Sequence, residues 1–320
     1  MKFSPTAAGW RTIIRQPAIA FAEIVWRWMF GLTTALTMGF SFLVFLSTIP
    51  VPAPAPWMMD TRRTALVGGA LAQVVDGSGW AATKIALVAL PALAIFWIVL
   101  ASLGRTATLQ PMLASVSERR GSWTHMLGLS FLRFAAWFAA NVALTGALIL
   151  AAMATTGLEH TVGTALLIFF ALALLVFSAW SVLNWLLTLA SIFVVRDQTD
   201  TFSSIASAVD LVRRRFAPLL ATSSAWAIVR SVALLAATIS GAVVLAFVRT
   251  IPPGYVLLGV LLITLGYLAI ADLLYVSRLA SYVAILQADL EPPPAIIPAP
   301  PEPAPAVDIF PFSPDLPAES

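Results

Sequence analysis

Long apolar segments alternate with short polar segments along the 320 residues of the chain. Six of the apolar segments can cross a bilayer, since a membrane-spanning helix needs roughly 20 predominantly apolar residues. We assign these spans to residues 28–50, 84–104, 131–155, 163–194, 228–249 and 255–277. Each span is predicted to be a helix, because lipid offers no partner to an exposed backbone N–H or C=O group. The pattern therefore predicts an all-α, polytopic membrane protein.

Composition supports the membrane assignment and narrows the choice of partners. Hydrophobic residues make up 60% of the chain, charged residues make up 10%, and the mean hydropathy is +0.93. An average soluble domain has about 25% charged residues. The net charge is only +3, and the basic residues are placed beside the apolar segments. We therefore expect membrane lipids as partners and no nucleic acid.

Lysine and arginine fall mainly on one set of polar segments, which predicts the orientation of the chain. Of the 18 basic residues, 14 lie in the N-terminal segment, in residues 105–130 and 196–227, or at helix ends on the same side. The other side carries the remaining basic residues, which are Arg62, Arg63, Lys84 and Arg249. Both termini are therefore predicted to be cytoplasmic.

Three cytoplasmic segments contain a short amphipathic stretch before the next span. Apolar residues spaced three or four apart lie on one face of a helix. The members of the three stretches are Trp10, Ile13 and Ile14, then Leu109, Met112, Leu113 and Val116, then Phe202, Ile205, Val209, Val212 and Phe216. We therefore predict three interfacial amphipathic helices at the level of the lipid headgroups.

The third stretch has the clearest helix boundaries and the strongest lipid-binding signal. Asp200 or Thr201 is placed to cap this helix, and Pro218 is placed to end it. Three consecutive arginines fill its last turn, where they suit both the helix dipole and anionic phosphates. With the arginine pair before the third span, they form the candidate lipid-binding set for the anionic leaflet: Arg213, Arg214, Arg215, Arg119 and Arg120.

Each amphipathic stretch is followed by an arginine at the mouth of a span. These arginines are Arg27, Arg133 and Arg230, and Glu23 is the predicted partner of the first, four residues earlier on the same helix. Two interpretations of the threefold pattern stay open. It marks three repeated hairpin units, or it is the set of basic, amphipathic connections that any such array of hairpins shows.

A stretch in the second half of the chain resembles a known group of membrane proteins. The fourth span ends in V-V-R-D, and the third amphipathic stretch ends in L-V-R-R-R-F. Residues 194–216 are similar to a loose group of bacterial six-helix membrane proteins, including the membrane domain attached to some glycerophosphodiester phosphodiesterases. The resemblance implies a six-helix layout over residues 1–290 in a bacterial inner membrane. The catalytic domain of such proteins is separate, so the resemblance implies no active-site residue.

Few polar side chains fall within the predicted spans. Asp272 is the one clear ionisable residue, and it forms either an ion pair or part of a proton or cation pathway. Arg230 or Arg133 of a neighbouring helix is its predicted ion-pair partner. Asn141 and Asn184 are predicted to form hydrogen bonds between helices. If the protein were a transporter, these two amides and Asp272 would converge in a central polar cavity.

The sequence contains no catalytic, cofactor-binding or metal-binding motif. It has no cysteine, and its two histidines, His125 and His160, fall on opposite sides of the predicted membrane. It also lacks the zinc-protease, nucleophile-elbow, P-loop and dinucleotide-binding motifs. We therefore expect no enzyme activity, no metal and no cofactor.

The C-terminal segment differs in composition from the spans. Residues 287–320 hold 11 of the 22 prolines and neither lysine nor arginine. Such a segment cannot build a core, so residues 291–320 are predicted to be a disordered, Pro-rich, acidic cytoplasmic tail. Within it, residues 307–312 form an apolar island. This island is a candidate docking motif for a cytoplasmic protein, and a solvated spacer or a contact with the protein's own basic face are the alternatives.

Two hypotheses for the role of the protein follow from these features. The leading one is a non-enzymatic inner-membrane protein that organises lipids or recruits a partner through its tail. The alternative is a transporter or lipid-translocating protein that uses a central polar cavity.

Overall fold

The computed structural model describes residues 4–48, 64–114, 123–154 and 162–290. Over these residues the protein is all-α, without a strand. The helices are α1 (Pro5–Arg15), α2 (Pro17–Thr48), α3 (Thr64–Leu113), α4 (Trp123–Met153), α5 (Val162–Asp197), α6 (Thr201–Ala246) and α7 (Pro253–Leu290). A 3-10 turn at Phe247–Arg249 follows α6. The predicted tail at 291–320 and its candidate docking motif at 307–312 lie outside the described residues.

Helices α2 to α7 are each long and apolar enough to cross a membrane. The prediction of an all-α protein with six apolar helices is therefore confirmed for the described part of the chain. Several helices run further than the predicted spans: α2 begins at Pro17 rather than at residue 28, α3 covers Thr64–Leu113 rather than 84–104, and α7 continues to Leu290 rather than to residue 277. In the added turns of α2 and α7, apolar side chains such as Ile19, Tyr282 and Leu286 are buried in the core.

The three predicted amphipathic stretches have three different outcomes. The first is a separate helix, α1, which has Pro5 at its first position, where a missing N–H costs nothing. The second is the continuous end of α3 up to Leu113, and residues 115–122 are outside the described part. The third is the first half of α6. Only α1 is therefore a helix of its own.

The third amphipathic helix is predicted to end at Pro218, and the structure interrupts the helical geometry three residues before that position. The backbone bends at Arg215, whose φ of −127° and ψ of 36° are not helical. A proline ring clashes with the preceding turn and removes one backbone hydrogen bond. Buried Leu211 and Leu219 lie on either side of the bend. Packing on both sides therefore turns the predicted stop into a kink.

Fully buried side chains concentrate at the end of the bundle where α1 packs, which we call the α1 end. Every helix contributes to this core, for example with Ile13 of α1, Leu109, Met126, Leu189, Leu211 and Tyr282. Away from it, large apolar side chains are exposed on all six long helices, for example Phe40, Leu87, Ile149, Leu174, Ile239 and Leu261. Helices that are apolar all round need lipid or protein around them. The α1 end is therefore the self-packed part of the molecule.

Helix α7 occupies the position that closes the bundle. Helices α2 to α6 pack against one another in chain order, and α7 packs against α6 and also against α1 and α2. The contact between α7 and α2 joins the last long helix to the first. It brings residues more than 240 positions apart in sequence into direct contact, as with Arg27 and Asp272.

Gly9 allows α1 to lie directly on α7. A Cβ atom at this position would lie 2.5 Å from the backbone oxygen of Ser277. Real Cβ atoms do not come that close, so any side chain forces the two helices apart. The approach also places the rings of Trp10 and Trp226 6.3 Å apart, centroid to centroid.

We predict that Gly9→Ala destabilises the folded protein by about 1–3 kcal/mol, the usual cost of overpacking a close contact. Thermal unfolding in detergent, followed by circular dichroism, measures the change. Gly39→Ala in α2 is the matched control, because nothing lies within 4 Å of its added Cβ. Alanine favours helix over glycine by about 1 kcal/mol. A Gly9→Ala protein as stable as the Gly39→Ala protein would contradict the close packing of α1.

Candidate functional site

A buried carboxylate lies at the centre of the α1 end. Glu23, in the second turn of α2, has no exposed surface. Its Oε2 accepts hydrogen bonds from the indole N–H of Trp26 at 2.9 Å and from the hydroxyl of Thr108 at 2.8 Å. Its Oε1 accepts from Arg27 at 2.8 Å. A buried charge is costly unless it is paired and hydrogen-bonded, and Glu23 meets both conditions.

Arg27 links this carboxylate to a second one on another helix. Its Nε and one terminal nitrogen each lie 2.8 Å from Glu23 Oε1, and its other terminal nitrogen donates to Asp272 Oδ1 at 2.8 Å. The predicted pair of Glu23 with Arg27 is therefore confirmed. The predicted partner of Asp272 is wrong: Arg27 holds it, rather than Arg230 or Arg133. The reason is that α7 packs against α2, which brings Arg27 to Asp272.

Arg105 extends the cluster to α3. It is 6% exposed and lies 3.8 Å from Glu23 Oε1, measured from a terminal nitrogen. The same nitrogen donates a hydrogen bond to the phenol oxygen of Tyr275 on α7. Its position in the sequence predicts a cytoplasmic loop. The structure places it inside the extended α3, close to a carboxylate on α2 and an aromatic ring on α7.

The ring of Tyr275 is shared by three guanidinium groups. Their central carbons lie 4.3 Å (Arg27), 4.4 Å (Arg105) and 5.3 Å (Arg278) from the ring centroid. Each such cation–π contact contributes about 0.5–2 kcal/mol. The aromatic face therefore offsets part of the repulsion among three like charges, but it does not neutralise them.

Arg133 of α4 completes the cluster. One of its terminal nitrogens donates to the hydroxyl of Thr188 on α5 at 3.2 Å. It also interacts electrostatically with Arg27, Glu23 and Arg278. We call the set Glu23, Arg27, Arg105, Arg133, Asp272, Tyr275 and Arg278 the α1-end charge cluster. Helices α2, α3, α4 and α7 each contribute at least one charged side chain to it.

The two amides that the transporter hypothesis brings together with Asp272 lie elsewhere. Asn141 is exposed on α4, and its side-chain N–H group donates to the carbonyl of Trp137 in the same helix at 2.8 Å. Asn184 of α5 is half-buried, and its backbone carbonyl accepts from Thr188. No hydrogen bond joins either amide to Asp272 among the described residues. The predicted interhelical bond of Asn141 is therefore replaced by a bond within its own helix.

The arginines proposed to bind lipid lie on the outside of the same end. Arg213, Arg214 and Arg215 are exposed on α6, and the last two pair with Asp289 of α7, at 3.5 and 2.7 Å. Arg119 and Arg120 lie outside the described residues. Among the apolar residues of the same stretch, Phe202 is 78% exposed and Phe216 is 53% exposed. This part of α6 therefore presents cations and aromatic rings to its surroundings.

Asp200 caps the N-terminus of α6, as predicted. Its carboxylate accepts from the backbone N–H groups of Phe202 and Ser203, at 3.2 and 3.5 Å. A hydrogen bond from the Ser203 side chain, followed by those from the two backbone groups, lowers the pKa of Asp200 below its usual value. The cap is therefore ionised at neutral pH, where it suits the positive end of the helix dipole.

The part of the chain that the structure describes contains no cluster of side chains able to hold a metal ion. No group of three histidine, cysteine, aspartate or glutamate side chains comes together there. The two carboxylates of the charge cluster, Glu23 and Asp272, are both bound by Arg27. One oxygen of each carboxylate is therefore bound to a guanidinium group, and the other oxygen of Glu23 accepts from Trp26 and Thr108.

Comparisons with known proteins do not assign a function to this cluster of residues. No protein family, curated protein or solved structure matches the chain. The similarity of residues 194–216 to bacterial six-helix membrane proteins therefore stays a prediction. Any functional argument has to come from the residues themselves.

We predict that Glu23→Gln destabilises the protein by about 3–5 kcal/mol, the usual cost of removing one partner from a buried ion pair. Glutamine has nearly the same shape, but it leaves Arg27 and Arg105 without their shared carboxylate. Thermal unfolding in detergent provides the measurement.

Asp289→Asn is the matched control for this prediction. It also removes one carboxylate from arginines, but Arg214 and Arg215 are largely exposed. Exposed ion pairs contribute less than about 1 kcal/mol. Equal losses for the two variants would show that burial does not strengthen the Glu23 pair.

Proposed function

We propose that the protein is a non-enzymatic, multi-pass protein of the bacterial inner membrane that organises anionic lipids around its α1 end. One observation carries the proposal: the first half of α6 exposes Arg213 and Arg214 beside the exposed rings of Phe202 and Phe216. Aromatic rings prefer the boundary between headgroups and acyl chains, and arginines at that level attract anionic phosphates. Helix α6 therefore carries aromatic rings that suit the acyl-chain side of this boundary and arginines that suit the headgroup side.

The exposed face of α1 supports the same proposal, a contact of the α1 end with anionic lipids. Trp10 and Ile14 are exposed, as are Arg11 and Arg15. The opposite face of α1 is buried on α7 through Gly9 and Ile13. A short helix that is anchored on one side and amphipathic on the other suits the membrane surface. In this proposal the α1 end and both termini face the cytoplasm, where anionic lipids give the leaflet a negative surface potential.

A transporter with a central polar cavity is not favoured by a specific observation. That hypothesis requires Asp272, Asn141 and Asn184 to converge. Asn141 is exposed and bonded within its own helix, and Asp272 is bound by Arg27. The lipid-organising role therefore remains the proposal that the side-chain geometry supports best.

We predict that Arg213→Gln/Arg214→Gln lowers the enrichment of anionic lipid around the protein. Juxtamembrane cations contribute about 1 kcal/mol each near an anionic surface, so the double change removes about 2 kcal/mol of attraction. Mass spectrometry measures phosphatidylglycerol relative to phosphatidylethanolamine in native lipid discs cut from the membrane. Native discs preserve the lipids that surround the protein.

Lys84→Gln/Arg249→Gln is the matched control for the lipid measurement. Both residues are exposed and lie away from the α1 end, so the pair removes the same charge from the other side of the molecule. We expect no loss of phosphatidylglycerol for this control. The lipid proposal fails if the α6 variant keeps the enrichment of the unmodified protein.

The tail is proposed to recruit a cytoplasmic protein through residues 307–312. We predict that Phe310→Ala/Phe312→Ala removes a co-purifying protein that the full-length chain retains, because the two rings supply most of the apolar surface of this island. Quantitative mass spectrometry of both preparations in native lipid discs is the measurement. A chain that ends at Leu290 is the second comparison. Identical sets of co-purifying proteins in all three preparations would rule out recruitment by the tail.

A further inference from the structure

The α1-end charge cluster has more positive than negative charge. It holds four arginines, which are Arg27, Arg105, Arg133 and Arg278. The carboxylates that interact with them in the described part of the chain are Glu23 and Asp272. Four cations against two anions leave an excess of two positive charges in a largely buried region. Uncompensated charges in such surroundings are costly.

Both carboxylates bind the same arginine, Arg27. Arg27 is bound to Glu23 through two nitrogens and to Asp272 through the third. Arg105 is 3.8 Å from Glu23 Oε1, which is a longer and weaker contact. Arg133 and Arg278 form no ion pair with a carboxylate in the described part of the chain. The excess charge is therefore located mainly on Arg133 and Arg278, with a share on Arg105.

These three arginines also have unused hydrogen-bond donors. The Nε atoms of Arg105, Arg133 and Arg278 are buried and have no hydrogen-bond partner among the described residues. Arg105 as a whole is only 6% exposed. A buried donor without an acceptor is rare in folded proteins. Three unpartnered guanidinium donors within one electrostatically coupled cluster indicate a site that is complete only with an acceptor of negative charge.

We propose that the α1-end charge cluster binds one phosphate group, held between Arg105, Arg133 and Arg278. A phosphate group has several anionic oxygens, and guanidinium groups bind them through charge-assisted hydrogen bonds. One such group supplies both the missing negative charge and the missing acceptors. Its source is the headgroup of an anionic phospholipid or a free phosphate, because both present the same chemistry.

Three arginines of the cluster remain partly exposed. The side chain of Arg27 is 26% exposed. Arg133 and Arg278 are half-buried, and Arg278 interacts electrostatically with exposed Arg230. Basic residues therefore extend from the exposed surface of α6 to the cluster. The site is separate from the surface contact proposed above, since none of its three arginines belongs to the exposed α6 set.

Binding is measured on the full-length protein, purified in maltoside detergent and washed free of loosely bound lipid. Native mass spectrometry counts the lipids retained during titration with phosphatidylglycerol or, in a second series, phosphatidylcholine. Thermal unfolding is measured with inorganic phosphate against chloride at equal ionic strength. We expect saturable binding with one ligand per chain for phosphatidylglycerol, for inorganic phosphate, or for both.

The two probes distinguish the source of the phosphate group. Saturation by phosphatidylglycerol without a response to inorganic phosphate identifies a lipid headgroup. A thermal shift with inorganic phosphate, and no retained lipid, identifies a free phosphate. Absence of saturable binding for both probes in the unmodified protein overturns the proposal, and this result does not depend on whether any variant folds.

Variants test whether the named arginines form the site. Arg133→Gln/Arg278→Gln is expected to weaken binding about 100-fold, since each charged hydrogen bond contributes roughly a factor of ten. Arg11→Gln/Arg213→Gln is the control, because it removes two exposed arginines from the same end. We expect at most about a threefold change for this control. Equal losses in the two variants, or no loss in the first, would refute the site.

The surface proposal and this one fail separately. Loss of anionic-lipid enrichment in native discs depends on Arg213 and Arg214, whereas the single retained ligand depends on Arg133 and Arg278. Enrichment without a saturable ligand overturns only the internal site. A saturable ligand without enrichment overturns only the surface role.

Discussion

The carboxylate of Glu23 is the point on which the arrangement of the helices depends. It lies on α2, and it binds Thr108 and Arg105 of α3 as well as Trp26 and Arg27 of its own helix. Arg27 then carries the connection to Asp272 on α7. A similar volume of apolar side chains could give equal or greater stability. Apolar contacts, however, could form at several rotations of α2 about its axis, whereas these hydrogen bonds and ion pairs form at only one of those rotations.

This constraint matters because lipid removes much of the force that holds soluble helices together. Apolar side chains gain little by leaving lipid for one another, so helices in a membrane associate through close packing and polar contacts. At the α1 end, both are present: Gly9 lets α1 lie directly on α7, and the charge cluster joins four helices. Away from it, large apolar side chains are exposed on every long helix. The specific contacts that fix the fold are therefore concentrated at one end.

The sequence predicted the helices because hydrophobicity and helix caps are local signals. The six spans, the cap at Asp200 and the pair of Glu23 with Arg27 all depend on residues within a few turns of one another, and the described helices agree with them. Arg105 was missed for a local reason as well. Residues 105–113 were interpreted as a loop with an amphipathic stretch, although Leu109, Met112 and Leu113 are a continuation of α3 and are buried.

The candidate site itself could not be derived from spacing. Arg27 and Asp272 are 245 residues apart, and only the contact of α7 with α2 brings them together. Sequence alone offered Arg133 and Arg230 as equally reasonable partners, because all three arginines lie at the same end of a span. The sequence did not indicate that Tyr275 belongs to the site either, since an aromatic residue near a helix end is ordinarily part of an interfacial belt. Its shared ring becomes apparent only when three guanidinium groups surround it.

The arginines at the α1 end thus form two populations with different electrostatics. Those on α6 are exposed, so their charge interactions are screened by salt, over a length of about 10 Å at 0.1 M. Arg105, Arg133 and Arg278 lie among buried side chains, where screening is much weaker. Raising the ionic strength therefore weakens the charge interactions of the exposed arginines more than those of the buried arginines. The proposed internal site and the proposed surface contact therefore differ in one measurable respect, which is how strongly salt weakens each of them.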